Sequence, residues 1–339
     1  MQAINSHTMK IKDLVDFTAG STSYSPFSIM HALMLLTYCS DDASIDQLTK
    51  SMQITKQELL DFSNQLKLDK SVALASNIFS KNIQGINPAF SKLMKETFGF
   101  TPEKLRSAAQ VNKWCAKHTN NRIDRLINNA DFEAILLSAI HFKADWAVPF
   151  EARDTTQKEF SGFSARADKQ MMQMTKHLQF AETDSAFIVN LKYENSNISA
   201  QIILPKSASK QDFNAALSQQ NLNPVFQSTR VHLQLPKFKI NSEFKLKSIL
   251  QKLNVTKIFE RIDCTKSLGQ ILFVDEVIQK TFVEVDEKGT EAAAVTGIIM
   301  IKASFFREEQ PVEVICDRPF WFILKGNGGE VLFVNSVVD

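Results

Sequence analysis

Glycine and proline are scarce, ten and nine in 339 residues, which excludes a disordered chain. The four cysteines, Cys39, Cys115, Cys264 and Cys316, are too scattered for a metal-ligand pattern or a disulfide-dense framework and read as free thiols. No apolar run approaches eighteen residues, and the opening MQAINSHTMKIKDLVDF holds no stretch apolar enough for a cleavable signal peptide. The expectation is cytoplasmic synthesis of a soluble protein, with unconventional release as its route to any extracellular target. Net charge is only +2, so there is no general electrostatic case for nucleic acid or a membrane surface as partner. A phosphate-binding glycine loop, HExxH and GxSxG are all missing. His7, His31, His118, His141, His177 and His232 do not cluster at metal-ligand spacing. An enzyme is therefore a poor default, and no cofactor or metal is expected.

What is present is apolar: 44% of the chain, enough for a large core. Residues 27–39, FSIMHALMLLTYC, predict a helix buried on nearly all sides, with Ser25, Pro26 and Ser28 at its N-terminus. Other helices are expected at 8–18, 45–52, 56–66, 86–99, 108–127 (broken near Asn120 and Asn121), 210–220 and 244–254. Trp114, at helical spacing from Val111, reads as core. Strands are expected at 72–80 and 135–150, the latter apolar enough to be buried on both faces. His141 and Lys143 lie in that strand with no nucleophile or paired carboxylate at a suggestive interval, so a structural role is expected. Strand patterns recur at 169–181, 185–194, 198–205, 230–240, 269–286, 311–317, 320–326 and 330–338. The class is α+β with large mixed or antiparallel sheets. The sequons at Asn197 and Asn254 decide nothing alone.

One stretch contradicts itself. TFVEVD reads as a strand, the following EKGTEAAAVT has the small residues of a helix or loop, and GIIMIKASFF is apolar where a surface loop should be polar. A short helix between two strands is one reading. The other is a segment with two states, exposed loop or buried strand: at a period of two, Thr290, Ala292, Ala294, Thr296, Ile298 and Met300 share a face on which nothing large or charged obstructs burial.

At this point the chain resembles the serpin family. SPFSI at 25–29, ALMLL at 32–36, ASNIF at 75–79, VNKWCAKHTNNRIDRLI at 111–127, AIHFKADW at 139–146, LPKF at 235–238, EVDEKGTEAAAVT at 284–296 and DRPFWFIL at 317–324 match family blocks in order. The resemblance implies a single domain over 1–339, three sheets, about nine helices and a mobile reactive-centre loop at about 287–310. It also implies a monomeric suicide inhibitor of a serine endopeptidase. The enzyme cleaves the loop, is held as an acyl-enzyme, and is carried away as the loop inserts into the largest sheet. A non-inhibitory binding or carrier protein on the same scaffold is the alternative.

The hinge implied is Glu287, Gly289, Thr290, Glu291, Ala292, Ala293, Ala294 and Thr296, with Gly289 expected to permit the reversal at its base. Sixteen residues on from Glu287 lies Ala303, which makes Ala303-Ser304 the leading reactive bond and suits an elastase-like pocket. Lys302 would suit a trypsin-like pocket; Met300, Phe305 and Phe306 a chymotrypsin-like or cathepsin-G-like one. The resemblance groups Ser25, Ser28, Ser138 and Gln279 in a network where the sheet opens, and puts Trp146 at the breach where it first parts. Ser138 replaces the family's asparagine and Gln279 its histidine, which removes one pH-sensitive imidazole. Ala144 and Asn335 replace glycines. The region 53–74 is short and Lys67 and Lys70 alone make no polysaccharide site, so glycosaminoglycan activation is not expected.

Overall fold

The computed structural model describes residues 2–53, 55, 57–58, 61, 64, 71–290 and 310–339. After α1 (Gln2–Lys12) and the short strand β1 (Thr22–Tyr24) comes the central helix α2 (Pro26–Cys39). Ser25 is its N-cap, accepting from the Ser28 N–H at 3.1 Å, and Pro26 fills the first turn, where no N–H is needed. Every residue of α2 except Tyr38 is buried, as its apolar run requires. The further helices are α3 (Asp42–Met52), α4 (Pro88–Phe98), α5 (Ala108–His118), α6 (Lys210–Ala216), α7 (Gln219–Leu222), α8 (Lys247–Lys252) and α9 (Thr265–Leu268), nine among the described residues.

The strands form three sheets. A nine-stranded sheet runs β1, β18 (Val331–Val337), β17 (Phe320–Lys325), β9 (Ser199–Pro205), β8 (Ala186–Lys192), β7 (Arg166–Glu182), β10 (Gln227–Pro236), β16 (Val312–Ile315), with β6 (Thr156–Ser161) on β7. A seven-stranded sheet runs β3 (Glu103–Lys104), β2 (Val72–Ser80), β4 (Ala134–Phe142), β14 (Glu276–Val285), β15 (Gly289–Thr290), β5 (Ala144–Asp145), with β11 (Phe238–Lys245) on the other edge of β14. The third pairs β12 (Ile262–Cys264) with β13 (Gln270–Leu272). This is the expected α+β serpin architecture. The seven-stranded sheet is covered twice: one face joins the main core with α2, the other a smaller core with Trp114 and Cys115 of α5. Hence all nine residues of β4 are buried.

Several boundaries differ from the sequence reading. The first helix starts at Gln2 and ends at Lys12, and α5 stops at His118 because Asn120 and Asn121 turn left-handed at φ 52° and 60°. The strand expected over 135–150 stops at Phe142, resumes for Ala144–Asp145, and gives way to a loop. Residues 244 and 245 pair with Gln279 and Ile278, which cuts the expected helix at 244–254 back to Lys247–Lys252. β1 and β6 were not expected, being short or largely polar.

Candidate functional site

At the top of the seven-stranded sheet, β14 ends at Val285 and the chain turns back. Asp286 builds the turn: its N–H donates to the Gly289 carbonyl at 2.9 Å, and its carboxylate accepts from the N–H groups of Lys288 at 2.9 Å and Gly289 at 3.2 Å. Trp146 fastens the turn from outside, its indole N–H donating to Asp286 O at 3.0 Å and its backbone N–H to Lys288 O at 2.7 Å. Glu287 takes an ion pair from Lys237 at 2.8 Å and a hydrogen bond from the Thr155 hydroxyl at 2.9 Å. Burial alone would raise its pKa, but these contacts outweigh it and hold the carboxyl below its ordinary value.

The chain leaves the turn as β15. Thr290 pairs with Val285 on one side and Ala144 on the other, and Gly289 pairs with Asp145. These two residues form a wedge between β14 and β5. Below it, from Phe282↔His141 down to Glu276↔Ile135, β14 and β4 pair directly and in parallel. Thr290 is fully buried, its hydroxyl 2.6 Å from that of Tyr193, which stacks on Trp146 at 4.4 Å. Gly289 is not in the left-handed region. A Cβ there would lie 2.1 Å from the Ala144 carbonyl oxygen, so glycine is needed for close approach and not, as the sequence suggested, for a reversal.

Farther down, Gln279 lies in register with Ser138. The Gln279 amide donates to Ser25 O at 2.8 Å and Ser28 Oγ at 2.6 Å, and its oxygen accepts from the Ser25 N–H at 3.0 Å. Ser138 donates to Ser28 O at 2.8 Å. The four polar residues therefore converge on the N-terminus of α2. An imidazole does stand nearby: His31, one turn along α2, reaches Ser76 on β2 at 3.1 Å, and Ser76 lies 3.4 Å from Ser138 Oγ. Ala144 fits as Thr290's partner. Asn335 donates to Phe322 O at 2.7 Å, and its own buried oxygen has no partner among the described residues.

Glu291, Ala292, Ala293, Ala294 and Thr296 of the hinge lie outside the described residues, as do Met300, Lys302, Ala303, Ser304, Phe305 and Phe306, and Lys67 and Lys70. His141 is buried beside Phe282, and Trp114 packs edge-on to Phe79. Among the described residues no group of three His, Cys, Asp or Glu could hold a metal. Sequence reasoning missed Asp286, Lys237, Tyr193, His31 and Ser76 as parts of this site. An aspartate ahead of Glu-Lys-Gly is a turn signal that could have flagged Asp286. Nothing local marks Tyr193, which meets Thr290 only in the fold.

Residues 9–339 match the family described as Serpin (serine protease inhibitor). The chain is 30% identical over 335 residues to Antichymotrypsin-2 of Bombyx mori, covering 90% of this chain and 88% of that one. It is 28% identical over 344 residues to Antitrypsin of the same species, covering 92% and 86%. The crystal structure of Serpin48 from Tenebrio molitor superposes with a TM-score of 0.89 at 23% identity, covering 100% of this chain and 97% of that one.

Proposed function

The chain belongs to the serpin family, and from that premise we propose that it inhibits serine endopeptidases as a suicide substrate. The family is described by serine protease inhibition, and its members are not themselves enzymes. The observation that carries the reading is the wedge: Thr290, small and uncharged, occupies a strand position between β14 and β5. Continued in that register, Ala292 would fall between Val283 and Phe142, Ala294 between Thr281 and Ile140, and Thr296 between Gln279 and Ser138. Two methyl groups would enter next to the core, and a hydroxyl would arrive at the polar network. Bulky residues on that path would each risk roughly 1–3 kcal/mol of strain. The insertion would replace one parallel ladder by two antiparallel ones, which are the more stable pairing.

In this mechanism the peptidase's own nucleophile attacks the carbonyl carbon before the scissile bond, the new amine departs, and the acyl-enzyme holds the two proteins together. Insertion competes with deacylation, so a slow hinge turns an inhibitor into a substrate. Ala303-Ser304 is the leading bond, for an elastase-like enzyme, with Lys302, Met300, Phe305 and Phe306 as the alternatives. Relatives named for trypsin and for chymotrypsin match this chain almost equally, which supports the serine peptidase class and leaves the choice within it to the loop. Action as a monomer and cytosolic synthesis complete the proposal; fractionation of source cells and medium tests the latter.

Incubation with elastase-like, trypsin-like and chymotrypsin-like enzymes, read by denaturing electrophoresis and mass spectrometry, should give a denaturant-resistant complex and a fragment starting after the attacked bond. Cleavage across the panel without any complex would overturn the proposal. Thr290→Arg places a charge at a fully buried position, and should cut the complex-to-cleaved ratio at least about tenfold, equivalent to 1.4 kcal/mol in the competing barriers.

A further inference from the structure

β16 is the first element after the stretch proposed as the reactive loop, and it is short: four residues at the edge of the nine-stranded sheet, paired in parallel with β10 alone among the described residues. So short an edge ladder has few main-chain bonds, and side chains that bridge β10 and β16 add to its hold. His232 of β10 lies opposite Glu313 of β16 and opposite Thr175 of β7. Its Nδ1 is 2.9 Å from Thr175 Oγ1 and its Nε2 is 2.9 Å from Gln234 Nε2, while Glu313 Oε2 stands 3.9 Å from the same Nε2. Gln234 Oε1 accepts from the Lys158 ammonium at 3.0 Å. An ammonium only donates, so the Gln234 oxygen faces Lys158 and its NH2 faces His232. Nε2 must then present a lone pair, and the proton of the neutral ring is on Nδ1, donated to the Thr175 hydroxyl. In that state the ring offers Glu313 nothing.

We propose that His232 is a proton-operated clasp for β16: a proton taken up at Nε2 switches its partner from Gln234, on its own strand, to the Glu313 carboxylate on the edge strand. With that proton in place, two donors face each other across the 2.9 Å to Gln234. Turning the amide over gives no relief, because its NH2 would then meet the Lys158 ammonium. Glu313 is more than half exposed, and its carboxylate has only to swing inward from 3.9 Å to accept a charge-assisted bond. The charges around the ring set the sign. Glu313, from β16, comes within ion-pair distance and attracts a charged ring. Lys158, from β6 behind the Gln234 oxygen, and Arg230, two residues back on the same face of β10, repel it. His177 of β7 stands opposite Arg230 and is the second imidazole on this face. The bridge between the strands needs His232 charged and Glu313 ionised together. It is gained as pH falls through the range in which histidine takes up its proton, and lost again in acid strong enough to protonate carboxylates. The clasp depends on the strand pairing and not on the proposed inhibition.

Two measurements test it. Proton–nitrogen NMR of the imidazoles, with His232 assigned by its loss in His232→Gln, should show the ring at about pH 8 protonated at Nδ1 alone; a neutral ring protonated at Nε2 would overturn the proposal. Hydrogen exchange read by mass spectrometry, corrected for the intrinsic rate at each pH, should show protection over residues 312–316 rising about two- to fivefold from about pH 8 to about pH 5.5, the gain of one part-exposed ion pair. Glu313→Gln and His232→Gln should each abolish that rise, and His177→Gln should keep it. Protection that stays level or falls in the unsubstituted protein, or a rise that survives Glu313→Gln, would overturn the clasp. The tautomer and the exchange profile of the unsubstituted protein decide the matter even if a variant fails to fold.

Discussion

Strands β17 and β14 both lie inside a large sheet, but they are held by different chemistry. β17 is antiparallel to both β9 and β18, and its Phe320, Trp321, Phe322, Ile323 and Leu324 are fully buried. Trp321 stacks on Phe213 at 4.3 Å and donates its indole N–H to the Phe213 carbonyl at 2.8 Å. β14 is parallel to β4, and it meets the N-terminus of α2 and the strand before it through an amide and hydroxyls: Gln279 with Ser25 and Ser28, and Thr281 with the Ser23 carbonyl of β1. A displaced aromatic contact has no substitute within reach. A hydrogen bond can be exchanged for another when a new hydroxyl arrives. The sheet proposed to open is the one joined by exchangeable contacts, and its neighbour supplies a frame that does not yield.

Three substitutions test that contrast, in falling order of effect. Trp321→Ala removes an aromatic from the fixed sheet and should cost about 3–5 kcal/mol, seen as a large drop in the denaturation midpoint. A smaller loss there than at Gln279 would break the contrast. Gln279→Leu leaves the Ser25 N–H and the Ser28 hydroxyl buried without their partner and should cost about 1–3 kcal/mol. It should also speed uptake of a synthetic peptide with the hinge sequence, followed by native gel shift; unchanged uptake would mean that the β4–β14 line is not where the sheet parts. Lys237→Ala removes a half-exposed ion pair and should cost only about 0.2–1 kcal/mol. Because Glu287 is held below its ordinary pKa, that stabilisation is complete above the ordinary carboxylate range and is lost as pH falls through the depressed value. The gap between wild type and Lys237→Ala should therefore be full at neutral pH and close on strong acidification. A gap independent of pH would assign the effect to the lysine's methylenes.

The parts legible in the sequence were those with a local physical signature. The continuous apolar run predicted that α2 would be buried on nearly all sides, and the apolar character of 135–150 predicted a strand covered on both faces, which holds as far as Phe142. Ser25, Ser28, Ser138 and Gln279 could be grouped only through family resemblance, because three different elements carry them. What stayed hidden was set by tertiary contact. Gly289 looked like a turn residue, and only the distance to Ala144 O shows that it is a clearance. His31 sat inside an apolar run with nothing local to mark it, and only the fold brings its ring to Ser76. β6, TQKEFS, is largely polar and exists because β7 offers it an edge.

The turn at Asp286 also bears on how quickly a new strand can form. Val285 and Thr290 are partners with only four residues between them, so the first pair of the ladder closes a very short loop, and loop-closure entropy rises only slowly with length. That nucleus exists before any peptidase arrives. In the proposed insertion, growth from it would require no search for register, since each added residue would find its partners one step beyond the last, as in a zipper whose slider is already seated. In the proposed inhibition, where insertion competes with hydrolysis of the acyl-enzyme ester, a pair already formed at Val285 and Thr290 spares the nucleation step.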